Sequence, residues 1–355
     1  MFPSAYRALP PQKTATMKNR IHSHISLKAL SLGIILAAFA IACSPIKRGE
    51  YADGSATMYC DDGFRHILQE EIEVFEYQYP NSAIIPFYVD EQTAMDSLLE
   101  NKTQLVVTTH ELTQDQIKYI KDKYRRVVRQ SCIAVDAVAL IVNKENPVNT
   151  LTLSDIKEII SGKISKWNQL AVPDDADIRL VFDNQGSSTV SYMRERFLGE
   201  NGKVSDNPNA FAQKDNAEVF DIVKNDRNAI GIISVSWLGA DLSEAKNVPV
   251  EKRMADYAVE NDTIATNLTT EVKILKVANP VEENDYSTVA YMPYQAYINS
   301  GEYPLYRKVY MISTATGSSV LNSFYQFSKG FIGQKIISKT GILPYHMNAR
   351  MVNLQ

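Results

Sequence analysis

The strongest constraint on what this chain can become is residues 133–142, IAVDAVALIV, an apolar run interrupted only by Asp136. A run of that length without alternation reads as a strand covered on both faces, long enough to pass from one lobe into another. Strand and helix patterns alternate around it. Strand candidates fall at 56–59, 83–89, 104–108, 178–182 and 229–235, and helical spacing at 64–79, 94–99, 113–124, 153–160 and 217–224. That order predicts βαβ units and an α/β fold with a mostly parallel sheet flanked by helices. Pro80 stops one helix, and Pro86 marks 83–89 as an edge or bulged strand. An amphipathic helical region over 319–338 closes the chain before Gly341 and Pro344, whereas 273–310, rich in Tyr and Pro, resists assignment.

Residues 1–42 set the compartment. They carry Arg7, Lys13, Lys18, Arg20 and Lys28 but no acid, and an apolar stretch at 29–42 meets Cys43. A basic start, a short apolar core and small residues before the cut describe a secretory signal, too short to span a bilayer comfortably. Ala40-Ile41-Ala42-Cys43 resembles a bacterial lipobox, which would make Cys43 the lipidated first residue; an ordinary secretory cleavage is the alternative. Met17, followed by Lys18 and Arg20, would give a more typical signal than Met1. Residues 43–55, polar with Pro45 and two glycines, read as a tether. The expected location is the periplasmic side of the cell envelope, anchored to a membrane by lipid.

The remaining 43–355 suffices for two lobes with separate cores. Without the signal it holds 32 Lys and Arg against 41 Asp and Glu, a net charge of −9 after the five basic residues are subtracted. So acidic a chain, lacking basic clusters, is a poor partner for nucleic acid. Cys60 and Cys132 could pair in an oxidising compartment or serve as two small core residues.

Function is best sought in residues 181–198, VFDNQGSSTVSYMRERFL. The turn Gly186-Ser187-Ser188-Thr189 opens an amphipathic helix, starting near Ser188 or Thr189, on which Val190, Met193 and Phe197 recur at helical spacing. Free amides and a positive dipole end beside three hydroxyls suit an anion or polar ligand. The same residues also fit a plain serine N-cap. No Gly-x-Ser-x-Gly elbow is present, and His66, His110 and His346 lack zinc-site spacing. A binding protein rather than an enzyme is therefore expected, with no metal and no cofactor.

At these residues the chain resembles the phosphate-binding component of phosphate ABC transporters, the PstS-like branch of the type 2 periplasmic solute-binding proteins. Four segments carry the likeness: Asn146-Pro147 with LTLSDIKEIISGKISKWNQL at 151–170, Gly186-Ser187-Ser188-Thr189, AIGIIS at 229–234, and Tyr303-Pro304-Leu305-Tyr306-Arg307 with the 330–344 tail. The resemblance implies two α/β lobes joined by two crossover strands, with a solute in the cleft between them. Lobe 1 would comprise 56–134 and 306–355, and lobe 2 135–305. The chain would act as a monomer that captures phosphate or a related oxyanion and delivers it to an ABC permease. Implied contacts are Gly63 and Phe64 in a first loop, Thr108 and Thr109 in a third, and Gly186, Ser187, Ser188 and Thr189.

The departures from that pattern are chemical. Gly63 stands where the family usually offers a hydroxyl, and Val89-Asp90-Glu91-Gln92-Thr93 replaces a Ser/Gly-rich loop. No acid occupies the position near Thr108-Thr109-His110 where the family accepts a phosphate proton, and Asp183 replaces the phosphate-pairing arginine. Asp61, Asp62, Asp90, Glu91 and Asp183 could crowd the cleft, raising the free energy of a dianion there. Arg65, Arg194 or Arg307 could compensate, although Arg194 suits a solvated helix face. Asp136 could orient a binding loop or be a hydrogen-bonded core group. Two other readings stay open: a cationic or hydroxylated solute in an acid-lined cleft, and an envelope sensor or scaffold using the tyrosines between 286 and 310.

Overall fold

The computed structural model describes residues 53–199, 201–239, 247–259, 268–278 and 289–346. The signal, Cys43 and most of the tether lie outside the described residues.

β1 (Gly54–Asp61), β2 (Ser82–Val89) and β3 (Leu105–Thr108) run parallel in the order β2-β1-β3. Pro86 therefore sits on the sheet's edge strand, where a residue without an N–H is tolerated. Between these strands, α1 (Arg65–Gln78) buries Ile67, Leu68, Ile72 and Phe75 on one face. α2 (Glu91–Leu99) is capped by Asp90, which accepts from the Thr93 amide at 2.9 Å. A reciprocal Thr113–Gln116 capping box starts α3 (Gln114–Tyr124).

β4 (Arg129–Val142) carries the apolar decapeptide and belongs to both halves of the sheet. Its register with the antiparallel β12 (Tyr306–Ser313) runs from Arg129↔Ser313 to Ala137↔Tyr306. From Val138↔Ser234 to Val142↔Ile230 it pairs instead with β8 (Ala229–Ser234). Strands cover it on both edges and apolar side chains on both faces, which is why its sequence shows no alternation. On the second side β6 (Arg179–Phe182) and β7 (Ala210–Ala212) continue parallel to β8 in the order β8-β6-β7, and β9 (Lys273–Ile274) also pairs β4. A small sheet joins β5 (Thr150–Thr152), β10 (Lys276–Ala278) and β11 (Ala290–Tyr291) beside α4 (Leu153–Ile160). The result is a mixed α/β fold of two lobes, each a largely parallel sheet with flanking helices.

The structure corrects one expectation, adds an element and decides an open alternative. The closing helical region is two helices, α9 (Val320–Lys329) and α10 (Phe331–Lys339), separated at Gly330. The turn brings α10 so close that a Cβ on Gly333 would lie 2.5 Å from the Phe327 carbonyl oxygen and 2.6 Å from Ser328 Cα. Only glycine fits there. A helix at Val250–Ala258, absent from the sequence reading, packs on α1 and α10 and anchors Arg253 to Glu70 and Glu73. Cys60 and Cys132 are free, Cys60 buried and Cys132 half-buried.

Candidate functional site

The carboxyl ends of the parallel strands point toward one seam, the position where open α/β sheets place ligand-binding loops. From the first lobe come Asp61–Phe64 after β1, Asp90–Glu91 after β2 and Thr108–His110 after β3. The second supplies 183–189 after β6, Asn216 at the start of α6 (Asn216–Asn225) and 234–237 after β8. The turn at 183–189 leads into α5 (Ser188–Met193), whose Val190 and Met193 are buried and which continues through a π-helical turn to Leu198.

The lobes touch along this seam through hydrogen bonds between their own residues. Ser188 N donates to Asp61 Oδ2 at 3.1 Å, and Asn216 donates to Asp62 Oδ2 from both its amide groups at 3.3 Å. Ser236 Oγ donates to the Gly63 carbonyl at 2.5 Å, and Trp237 Nε1 to that of Asp62 at 3.3 Å. Gln92 N meets the Gly186 carbonyl at 3.3 Å, and His110 Nε2 approaches Glu195 Oε2 at 3.3 Å.

A buried cation, Arg307, stands in the seam. It stands directly opposite Asp136 in the β12–β4 register, with Nε at 3.1 Å and Nη2 at 3.0 Å from Asp136 Oδ2. Ser234 Oγ lies 2.9 Å from both Asp136 oxygens. Burial pushes the Asp136 carboxyl up, and Arg307 and Ser234 work against that rise. Arg307 is only 6 % exposed, and its Cζ sits 5.6 Å from the Phe64 ring centroid. Neither Nη1 nor Nη2 makes a hydrogen bond among the described residues, although Nη2 lies within ion-pair distance of Asp136, and the buried Ser188 Oγ, Thr189 Oγ1 and Tyr192 hydroxyl also lack partners there. Such orphaned donors are costly in a protein interior unless something else accepts from them. Where a Cβ on Gly63 would lie, Arg307 Nη2 is 3.8 Å and Ser188 Oγ 3.9 Å away. The guanidinium and that hydroxyl therefore flank one point beside the first loop.

The other candidates are engaged by their neighbours. Ser187 Oγ donates to Asp183 Oδ1 and accepts from Val190 N at 3.2 Å, so it acts as the N-cap. Gly186 N donates to Asn184 Oδ1 at 3.1 Å. Thr108 Oγ1 donates to the His110 carbonyl at 2.9 Å. The third loop receives a carboxylate from α2. Glu91 Oε1 accepts from Thr109 N and, at 2.8 Å, from Thr109 Oγ1, while Oε2 lies 2.9 Å from His110 Nδ1. Asp62 is held by Arg65 and Asn216, and Asp90 serves as the α2 cap. Arg194 pairs with the adjacent Glu195 on the exposed helix face.

These surroundings set the charge states. Burial pushes the Asp61 carboxyl up to about 7, helped by the Glu91 charge and opposed by Arg307 and the amides of Ser188 and Gly63. Asp183 is pushed up to about 8, first by burial and then by Asp61, against the Ser187 hydroxyl. Its second oxygen accepts from Asn216 Nδ2 at 3.2 Å. Burial also disfavours the Glu91 charge, but the His110 and Thr109 hydrogen bonds outweigh it and lower that carboxyl. His110, bonded to Glu91, rises to about 9. Near neutrality Arg307 and His110 thus each place a cation beside a carboxylate in the seam, and Asp183 is largely protonated.

Asn216, Ser236, Trp237 and Tyr192 were not among the sequence candidates. Asn216 follows Asp215, which caps its helix, and that local role hid its reach across the seam.

A family model described as a PBP superfamily domain matches residues 49–331. The phosphate-binding protein PstS of Pseudomonas aeruginosa PAO1 is 22 % identical over 342 residues, covering 92 % of this chain and 94 % of its own. Protein SphX of Synechococcus elongatus is 22 % identical over 237 residues, covering 63 % of this chain and 67 % of its own. Among solved structures, a phosphate ABC transporter substrate-binding protein from Clostridium perfringens, crystallised with phosphate, aligns with a TM-score of 0.61 at 21 % identity. It covers 82 % of this chain and 99 % of that one. An ABC-type phosphate transport receptor from Vibrio cholerae aligns with a TM-score of 0.55 at 19 % identity, covering 82 % and 100 %.

Proposed function

This chain belongs to the periplasmic-binding-protein (PBP) superfamily, and from that membership we propose that it captures phosphate between its lobes and hands it to an ABC permease. The observation that carries the reading is Arg307: a buried guanidinium with a hydrogen-bonding nitrogen left over, facing the same point as the unpartnered Ser188 hydroxyl. A delocalised cation beside hydroxyls is a donor set well suited to tetrahedral oxyanions. It replaces, from β12, the arginine that Asp183 displaces. The relatives named for phosphate binding and transport support the same ligand. Thr189 Oγ1, also unpartnered, is the third proposed contact, with Phe64 beneath the guanidinium.

In this reading the protein is a carrier rather than an enzyme. It is an extracytoplasmic lipoprotein held by Cys43 and works as a monomer with lobes at 56–134 plus 306–355 and 135–305. Hinge closure traps the solute, and the permease recognises the closed form. The acids that suggested a cationic ligand each have partners within the chain, which disfavours that alternative. Calorimetric titration of the delipidated protein tests the proposal. Saturable heat with inorganic phosphate supports it; no heat and no thermal shift at millimolar phosphate removes it.

A further inference from the structure

We infer that the Asp61 carboxylate is the site's own resident anion, which an incoming phosphate must replace or neutralise, so that Asp61 sets the affinity. The inference rests on the phosphate reading above. Its basis is geometric. Asp61 is 1 % exposed, and its two oxygens divide between the lobes: Oδ1 accepts from Gly63 N at 2.8 Å and Oδ2 from Ser188 N at 3.1 Å. The Ser188 amide is the one beside the unpartnered Ser188 hydroxyl. Gly63 makes this possible, because a Cβ there would lie 2.7 Å from Asp61 Oδ1. The space a side chain at 63 would enter, within reach of Arg307 and Ser188, is filled by a carboxylate of this chain.

Titratable groups face Asp61 from several neighbouring elements. Asp62 adjoins it on its own loop, Glu91 faces it from α2 with His110 behind, and Asp183 lies below the turn into α5. Arg307 on β12 is paired with Asp136 on β4. Acids outnumber bases here, and a second anion can enter only if Asp61 turns away or takes a proton from solvent. The carboxyl's rise to about 7 makes that proton available at neutrality and scarce in alkali.

The test compares phosphate affinity of wild type and Asp61→Asn by calorimetry from pH 6 to 8.5. The ratio at each pH cancels the titration of phosphate itself. The two should bind alike at pH 6, and Asp61→Asn at least tenfold more tightly at pH 8.5. Asp61→Ser, which also lacks the charge, should shift the same way and covers a failure of the amide to fold. A ratio that stays constant across pH, or weaker binding by both variants at pH 8.5, overturns the inference while wild-type binding preserves the phosphate reading. Binding by neither wild type nor variants overturns both; binding by the variants alone supports the inference.

Discussion

Removing the Arg307 guanidinium should unmask how much the pairing of β4 with β12 depends on one ion pair. Arg307→Met keeps most of the side-chain volume but leaves Asp136, 0 % exposed, with only the neutral Ser234 hydroxyl and Ala137 amide as partners among the described residues. Breaking a buried pair from one side costs about 3–5 kcal/mol, because the remaining charge has lost its compensation. The pair here is held through two guanidinium nitrogens at 3.1 and 3.0 Å, so the upper half of that range is expected. Urea unfolding at pH 7.5 reads the loss. Adding Asp136→Asn should recover at least about 2 kcal/mol, since a neutral amide needs no cation and still accepts from Ser234. In Arg307→Met the Asp136 carboxyl titrates above its unfolded value. The deficit should therefore be smallest near pH 4 and grow as pH rises. A loss under about 1 kcal/mol, or a double variant no more stable than the single one, would refute the reasoning.

Asp183→Asn should gain stability relative to wild type as pH climbs from about 4 to 8, then level off, because the folded carboxyl resists ionisation until about 8. The slope in urea midpoints should approach about 1.4 kcal/mol per pH unit at most. His110→Gln should be less stable than wild type below pH 6.5, by under about 1 kcal/mol given the half-exposed ring, with the gap closing as pH passes 9. Gly333→Ala should lower the urea midpoint by the equivalent of about 1–3 kcal/mol through backbone collision, while phosphate affinity measured by calorimetry stays unchanged.

Much of the fold was written in local patterns. The apolar 133–142 run reports a strand enclosed on all sides, and Thr113, Thr152 and Ser187 announce helix starts by capping chemistry alone. The helix Val250–Ala258 left no such trace. It buries Arg253 and Tyr257 against Glu70, so polar groups interrupt the apolar face of Val250 and Met254 and are satisfied by α1, about 180 residues away in sequence. The break at Gly330 was masked because apolar residues continue at helical spacing on both sides. In the site, the 186–189 turn was legible, whereas its charges were not. Glu91 serves Thr109 from another loop, and Asp61 reaches Ser188 across 127 positions. Arg307 did leave a signal. In YRKVYMIS it shares the period-two phase of Val309 and Met311, the buried face of β12. A cation on an inward phase implies a buried acid, and Asp136 is the one acid in the apolar run it pairs with.

A crystal structure grown with inorganic phosphate tests the central claim most directly. Phosphate oxygens within hydrogen-bonding distance of Arg307 Nη1 and Ser188 Oγ, between the lobes, are the predicted result. Phosphate bound elsewhere on the protein, with both groups turned away from it, would contradict it.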